Sequence, residues 1–514
     1  MKKFIRLFNT VKYLKFIQVY YRLYYFVRRR LRKLTGFSYP LSKASRSTTL
    51  TLQPSIKSYT SLEGQTFSFL NLSHTFDHDI DWNFSEYGKL WTYNLTYFDF
   101  LQQEGMTNEK GIELIYDFIE VSSTHKDALE PFPISLRGIN WVKFLTQNEI
   151  KDKKIDDSLL AQYHILLDNL EYHLLGNHLL ENGFSLLFGA YYFQDEKLYR
   201  KAKEILTAEL EEQVLDDGAH FELSPMYHQI MLFRVLDCIN LVENNDSQDK
   251  ELLKLLKEKS SIMLGWLVKV TYENGDIPLL NDSAYGIAPT SKELFDYASR
   301  LNVEVKKVEL KGSGYRKIVN DRYECVVDVG HIGPDYIPGH AHADTFNFEL
   351  YIDKRPFIVD TGLSTYETNA RRTEERSTAA HNSVEVMGTS SSEVWGGFRV
   401  ADRAYVTGLE ENDEKIVATH DGYEKKFGVL HTREWKFEED SIVIIDRLNK
   451  EVDAVARLHF HPDVTKEEIL KRILIKHSTF NIQNYFYAPE FNKTIESLVM
   501  EIPFKEELKV EIKI

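Results

Sequence analysis

The apolar residues of this chain change their period near residue 305, and that change limits the fold more than any other feature. From about residue 80 to 300 they recur at i, i+3 and i+4 with polar faces between. This pattern predicts helices over 159–175, 179–193, 196–214, 227–242, 250–272 and 292–301, with breaks such as Asp216-Asp217-Gly218. After Gly312 the period becomes two. Strands are expected over 323–329, 346–352, 357–359, 383–386, 404–408, 415–419, 430–437, 441–446, 454–460 and 508–514. Many antiparallel helices with short connections form a solenoid or a closed toroid, and short strands at such intervals form a β-sandwich or several packed sheets. The expected division is a basic amphipathic segment over 1–40, a helical domain over 41–305 and a β domain over 306–514. Ligand pockets favour the seam between two such domains.

Charge is distributed unevenly. The chain of 514 residues carries a formal net charge of −15, which argues against nucleic acid as a partner. Yet eleven Lys or Arg lie between Met1 and Phe37, and the first acidic residue is Glu63. Aromatic and aliphatic residues are interleaved with these bases, so no uninterrupted apolar run of a secretory signal or a membrane span is present there. Two readings stand: a basic helix lying on an anionic membrane surface, or a helix packed on the helical domain with its Arg face in water. A cytoplasmic or peripheral inner-membrane location is expected, with a periplasmic one open. Aromatic residues reach 13%, which suits either sugar stacking or an aromatic-rich core; Trp82, Trp91, Tyr93, Tyr97 and Trp141 are placed mainly in the core. Cys238 and Cys325 stand alone, so no cysteine-based metal site can be built.

Three segments carry the chemistry. In Gly339-His340-Ala341-His342-Ala343-Asp344 an extended backbone would put His340, His342 and Asp344 on one face. Downstream, Asp360 ends an apolar strand and His381 precedes another. His342, Asp360 and His381 form a set chemically suited to zinc, although a hairpin turning at Asp353-Lys354 brings Asp360 closer to Asn347 than to His342. In the helical half, Asn177, His178, Glu181 and Asn182 cluster at a helix junction, and the i, i+3 spacing lets Glu181 orient His178. Pro225 then opens a helix that carries Tyr227 in its first turn. Arg371, Arg372 and Arg376 are candidate clamps for acidic groups, or else a solvated basic loop. His459 and His461 alternate on a strand and are read as sandwich packing.

Together the Asn-His…Glu segment, the Pro-Met-Tyr stretch and the run from His-Ala-His-Ala-Asp to Ala-His-Asn resemble the heparinase II/III-like polysaccharide lyases, relatives of alginate and heparin lyases. The resemblance covers most of the chain. It implies an incomplete (α/α) toroid followed by an antiparallel β-sandwich, with the active site between them. It further implies an acidic, uronate-containing polysaccharide or oligosaccharide as substrate, cleaved by β-elimination. Tyr227 matches the catalytic tyrosine, Asn177 or His178 the groups that face the uronate carboxylate, and His340 the catalytic histidine of the β domain. His342, Asp360 and His381 match structural Zn²⁺ ligands, and Glu181 an acidic neighbour of the helical-domain histidine. Amide and imidazole donors would stabilise the charge that develops on the carboxylate. A tyrosinate whose pKa is lowered by a nearby imidazolium would take the C5 proton, and the same Tyr227 or His340 would protonate the leaving O4. The basic N-terminus suits a protein that handles a glycan during synthesis at the inner membrane surface, or one that degrades imported oligosaccharides. The alternatives are an (α/α) glycoside hydrolase pairing Glu222 with Asp276 or Asp282, or a non-catalytic glycan-binding or assembly protein.

Overall fold

A computed structural model of the protein describes residues 2–245, 249–476 and 478–514. Two helices, α1 (Lys2–Val11) and α2 (Phe16–Thr35), lead into extended chain and a small antiparallel sheet of β1 (Leu62–Glu63), β2 (Thr66–Phe69) and β3 (Leu72–Thr75). The helical layer follows as α3 (Lys89–Tyr97), α4 (Asn108–Glu120), α5 (Pro131–Gln147), α6 (Lys153–Asp168), α7 (Gly176–Phe193), α8 (Glu196–Gln213), α9 (Pro225–Glu243), α10 (Lys250–Val270) and α11 (Ser291–Arg300). Their starts are written in the sequence: Thr107, Asp152, Asp195, Ser224, Asp249 and Thr290 each cap a first turn with a side-chain oxygen. Pro131 and Pro225 occupy first-turn positions, where no amide hydrogen is needed.

One boundary departs from the periodicity. The pattern runs on to Leu175, but α6 stops at Asp168 because α2 claims the carbonyls that follow. Arg28 donates to Asp168 O (2.6 Å), Tyr25 to Leu170 O (2.6 Å), Arg22 to His173 O (3.2 Å) and Gln18 to Leu174 O (3.0 Å). Four side chains from one face of α2 therefore satisfy backbone groups that a continued helix would have paired internally. The packed-helix reading of the N-terminus holds for this inner face.

The β domain contains three principal sheets. The first is β4 (Tyr315–Val319), β5 (Tyr323–Asp328), β6 (Phe348–Ile352) and β7 (Arg355–Ile358), in that order. Then come α12 (Ala370–Glu375), β8 (Val384–Val386), the short pair β9 (Val394–Trp395) and β10 (Arg399–Val400), β11 (Val406–Asn412) and β12 (Lys415–Tyr423). The chain ends with α13 (Glu424–Phe427), β13 (Val429–Phe437), β14 (Ser441–Leu448), β15 (Ala454–His459), α14 (Lys466–Arg472), β16 (Ile473–Ile475), β17 (Asn481–Glu490), β18 (Lys493–Phe504) and β19 (Glu507–Lys513). A six-stranded sheet, β11-β12-β13-β14-β19-β16, faces a four-stranded one, β17-β18-β15-β8, over a shared apolar core that includes Val384, Trp435, Ile444 and Ile502. Asp353 and Lys354 both take left-handed φ (48° and 65°), as a tight β6–β7 hairpin demands. His459 accepts this packing role, buried against Tyr485 and hydrogen-bonded to Asn382.

Candidate active site

The helical half of the site is assembled by a strained entry into α7. Leu175 and Gly176 both have positive φ (65° and 58°), and a Cβ on Gly176 would lie 2.6 Å from Glu222 Oε1. Glycine thus lets Glu222 approach Asn177, whose backbone N–H and Nδ2 donate to it at 2.8 and 2.9 Å. On α9, Ser224 caps the backbone N–H of Tyr227 and donates its own hydroxyl to Asp282 O at 2.6 Å. That bond ties the start of α9 to the 279–283 turn.

From the β side comes the segment 339–346, which is irregular and not the extended strand expected from sequence. His340 and His342 still converge, because one carboxylate gathers them. Asp282 accepts from His340 Nδ1 (2.9 Å), His342 Nε2 (2.8 Å) and both terminal nitrogens of Arg372 (2.5 and 2.7 Å). Burial pushes Asp282 up, but Arg372 and the two imidazoles outweigh it and hold the carboxyl well below its usual range. An ionised Asp282 fixes the hydrogen of His340 on Nδ1. Nε2 then faces Asn177 Nδ2 and Glu222 Oε2, both at 3.3 Å. The ring of Tyr227 lies against that of His340, with centroids 3.9 Å apart, and Tyr366 donates to the Tyr227 hydroxyl at 3.3 Å. Beside Tyr227 opens a cavity of about 290 Å³ lined in part by Tyr97, Asn140, Glu181, Arg234 and Phe491.

Several sequence expectations change here. Tyr227 is not a lowered-pKa tyrosine: burial pushes its hydroxyl above the ordinary tyrosine range, and the donation from Tyr366 and the charge of Arg372 only partly oppose this. Glu181 does not orient His178. It pairs with Arg234 at 3.2 Å, while His178 Nδ1 bonds Glu171 at 3.0 Å and its ring rests on Phe132. Asn177, and not His178, reaches His340. Arg372 and Arg376 are each 1% exposed. Arg372 is spent on Asp282 and Gly397 O, and Arg376 on Ala341 O and Gly397 O, so neither offers a free edge to a ligand. Arg371 is partly exposed and paired with Glu375 at 2.7 Å. Trp82, Trp91 and Trp141 are core.

The sequence reading passed over Tyr366, and it considered Glu222 and Asp282 only as a hydrolytic pair. Both carboxylates instead lie against the two ring nitrogens of one imidazole, Asp282 at 2.9 Å and Glu222 at 3.3 Å, so they do not flank an open space as a hydrolytic pair must. A polar triplet, Asn281-Asp282-Ser283, closing an apolar run was the available signal for Asp282.

Behind His340 the zinc-type set is only partly gathered. His381 Nδ1 bonds Asp360 at 2.7 Å, and Asn347 Nδ2 donates to the same carboxylate at 2.5 Å, the neighbour that the hairpin geometry predicts. His342 and His381 ring centroids are 5.3 Å apart. Their remaining nitrogens, His342 Nδ1 and His381 Nε2, are buried without hydrogen-bond partners, as is Asp344 Oδ2. Asp360, by contrast, is fully engaged, its other oxygen accepting from Gly362 N. Among the described residues no group of three or more His, Cys, Asp or Glu side chains is already arranged around a metal position.

Comparison with known proteins agrees with this architecture. Residues 86–301 match the heparinase II/III N-terminus, and residues 305–499 match the heparinase II/III-like C-terminal domain. No curated protein matches the chain. Among solved structures, a crystal structure of heparinase III aligns at 16% identity and TM-score 0.65, covering 86% of this chain and 80% of that one. A heparan sulfate lyase mutant from Pedobacter heparinus aligns at 16% identity and TM-score 0.56, covering 94% and 86%. These neighbours share the order of a helical toroid followed by antiparallel sheets. The two family matches together span most of the sequence, and the chain belongs to the heparinase II/III-like polysaccharide lyases.

Proposed function

We propose that the protein cleaves a uronate-containing polysaccharide by β-elimination at the seam between the toroid and the sheets. The observation that carries this reading is the meeting of three groups from two domains: Tyr227 lies 3.9 Å from His340 ring to ring, and Asn177 Nδ2 lies 3.3 Å from His340 Nε2. Removing a proton α to a carboxylate concentrates negative charge on that carboxylate, and the Asn177 amide at the positive end of α7, which donates to Glu222 in this structure, would meet it by exchanging that carboxylate for the substrate's. With Nδ1 of His340 turned to Asp282, Nε2 is the nitrogen that would take the C5 proton, while Tyr227, held as a phenol by burial, would give its proton to the departing O4. These roles reverse the base expected from sequence. One of the similar structures is a heparan sulfate lyase, so sulfated uronate chains head the substrate panel. Elimination leaves a C4–C5 double bond with far-ultraviolet absorbance. Cleavage to saturated products would sink the lyase reading. Tyr227→Phe should lower turnover by about 10²–10⁴-fold with an unchanged melting temperature; full activity in that variant would remove Tyr227 from the mechanism.

A metal ion belongs to this proposal. The free buried atoms His342 Nδ1, His381 Nε2 and Asp344 Oδ2 support it, as does the donation of each histidine's other nitrogen to a carboxylate, Asp282 or Asp360. Burial brings His342 down to about 4, a neutral imidazole ready to ligate. Burial first, and the Asp360 carboxylate second, push Asp344 up to about 6 and Glu349 to about 8. Zn²⁺ would be held by His342 and His381 with the Asp344 carboxylate, Asp360 serving to orient His381, and it would brace the strands that aim His340. Elemental analysis should find about one metal per chain, and chelation should lower the melting temperature. Metal-free protein with an unchanged melting curve would remove the assignment.

A further inference from the structure

Helices α1 and α2 use only part of their surface on the protein. Gln18, Arg22, Tyr25 and Arg28 pin the inner face of α2 to the 168–174 turn, and Asn9 binds Asp402 from α1. The outer surface is apolar and open. Sixteen of the thirty large hydrophobic residues exposed among the described residues lie within the first 37 positions, far beyond what scattered surface exposure explains. Phe16 is 83% exposed, Leu34 82% and Phe4 74%. Beside this surface runs a basic notch formed by Arg22, Arg29, Arg30 and Lys33 with His173. Arg28 and Arg32 are neutralised by Asp168, whereas Arg29, Arg30 and Lys33 make no ion pair among the described residues. Among the described residues no helix is long and apolar enough to cross a membrane.

We propose that the outer face of α1 and α2 is a docking surface for an anionic lipid bilayer, with α2 lying in the headgroup plane. Charge selects this occupant. The segment to residue 62 contains no acidic residue in a chain of net charge −15, so an anionic headgroup layer complements it, while a second copy would bring the same bases face to face. The apolar side chains suit the boundary between headgroups and acyl chains, and the twenty residues of α2 extend about 30 Å along it. The inference does not depend on the lyase reading.

Co-sedimentation with vesicles tests it. The full chain should pellet with phosphatidylcholine–phosphatidylglycerol vesicles, not with phosphatidylcholine alone, and high salt should release it. The triple variant Arg29→Glu/Arg30→Glu/Lys33→Glu should weaken binding about a hundredfold. Phe16→Ser/Leu34→Ser should weaken it independently. Both variants alter exposed side chains and should keep the wild-type melting temperature. The proposal is overturned by failure to bind either vesicle, by binding indifferent to charge reversal and salt, or by self-association that these substitutions abolish without any vesicle binding.

Discussion

Asp282 orders the site from one side-chain position, since it restrains the proton of His340, the ring of His342 and the fork of Arg372 together. Replacement by Asn would leave a buried guanidinium unbalanced, at a cost of about 3–5 kcal/mol. It would also free the His340 tautomer. We expect Asp282→Asn to melt lower and to lose turnover by about 10²–10⁴-fold, and a variant with native kinetics would refute the assignment. Tyr366 allows a finer test. Its hydroxyl donates to Tyr227 at 3.3 Å and opposes the burial that raises that phenol, so Tyr366→Phe should make Tyr227 a weaker acid and lower kcat with KM and melting temperature unchanged; an unchanged kcat would contradict the role of Tyr227 as acid. At this scale the sequence singled out residues that sit in compact motifs, Asn177, Tyr227 and His340, which the fold brings together. It could not disclose Asp282, 58 positions from His340, because only the folded seam brings them together. The same limitation misassigned the partner of His178: the i, i+3 rule offers Glu181, while the turn before α7 supplies Glu171.

Among the elements, helices with their own caps and strands with a clean inner face were legible, within a few residues. The strands β17 and β18 were not. Most of β17 before Tyr487 faces solvent, the register with β18 shifts around Pro489, and no steady alternation marks the strand. The β13–β14 pair shows what an element can bury. Arg433 grips Asp446 at 2.7 and 2.9 Å, His431 adds a 2.7 Å bond, and the guanidinium also reaches Phe346 O and Asn382 O. Burial raises the Asp446 pKa, but Arg433 and His431 prevail and hold it at about 2. Because the folded pKa lies below the unfolded value near 3.9, this stabilisation is complete above that value and is lost as pH falls toward 2. Wild-type stability should therefore fall over that interval by more than in Asp446→Asn, as denaturant melts at stepped pH would record. Parallel pH profiles for the two proteins would refute the pairing.

At the scale of the molecule, periodicity could separate helices from strands but could not choose a toroid over a solenoid, since closure depends on contacts far apart in sequence. Nor could it reveal how firmly the halves are joined. Tyr315 donates to Leu223 O at 2.5 Å, Asp217 accepts from Ser313, and Tyr272 stacks on Tyr351 at 3.7 Å, all across the seam. We expect one cooperative calorimetric transition, and two resolved transitions would show that these ties are weak. The loop 393–402 joins a further pair of regions. Its Glu393 and Trp395 are fastened to Arg6 and Thr10 of α1, its Gly397 carbonyl receives Arg372 and Arg376, and its Phe398 stands 6.3 Å from His340. The loop touches the first helix at one end and, at the other, the guanidinium that steadies Asp282. Through Glu393, Gly397, Arg372 and Asp282 a chain of contacts runs from the first helix to the imidazole, so a shift of that helix is expected to alter the setting of His340.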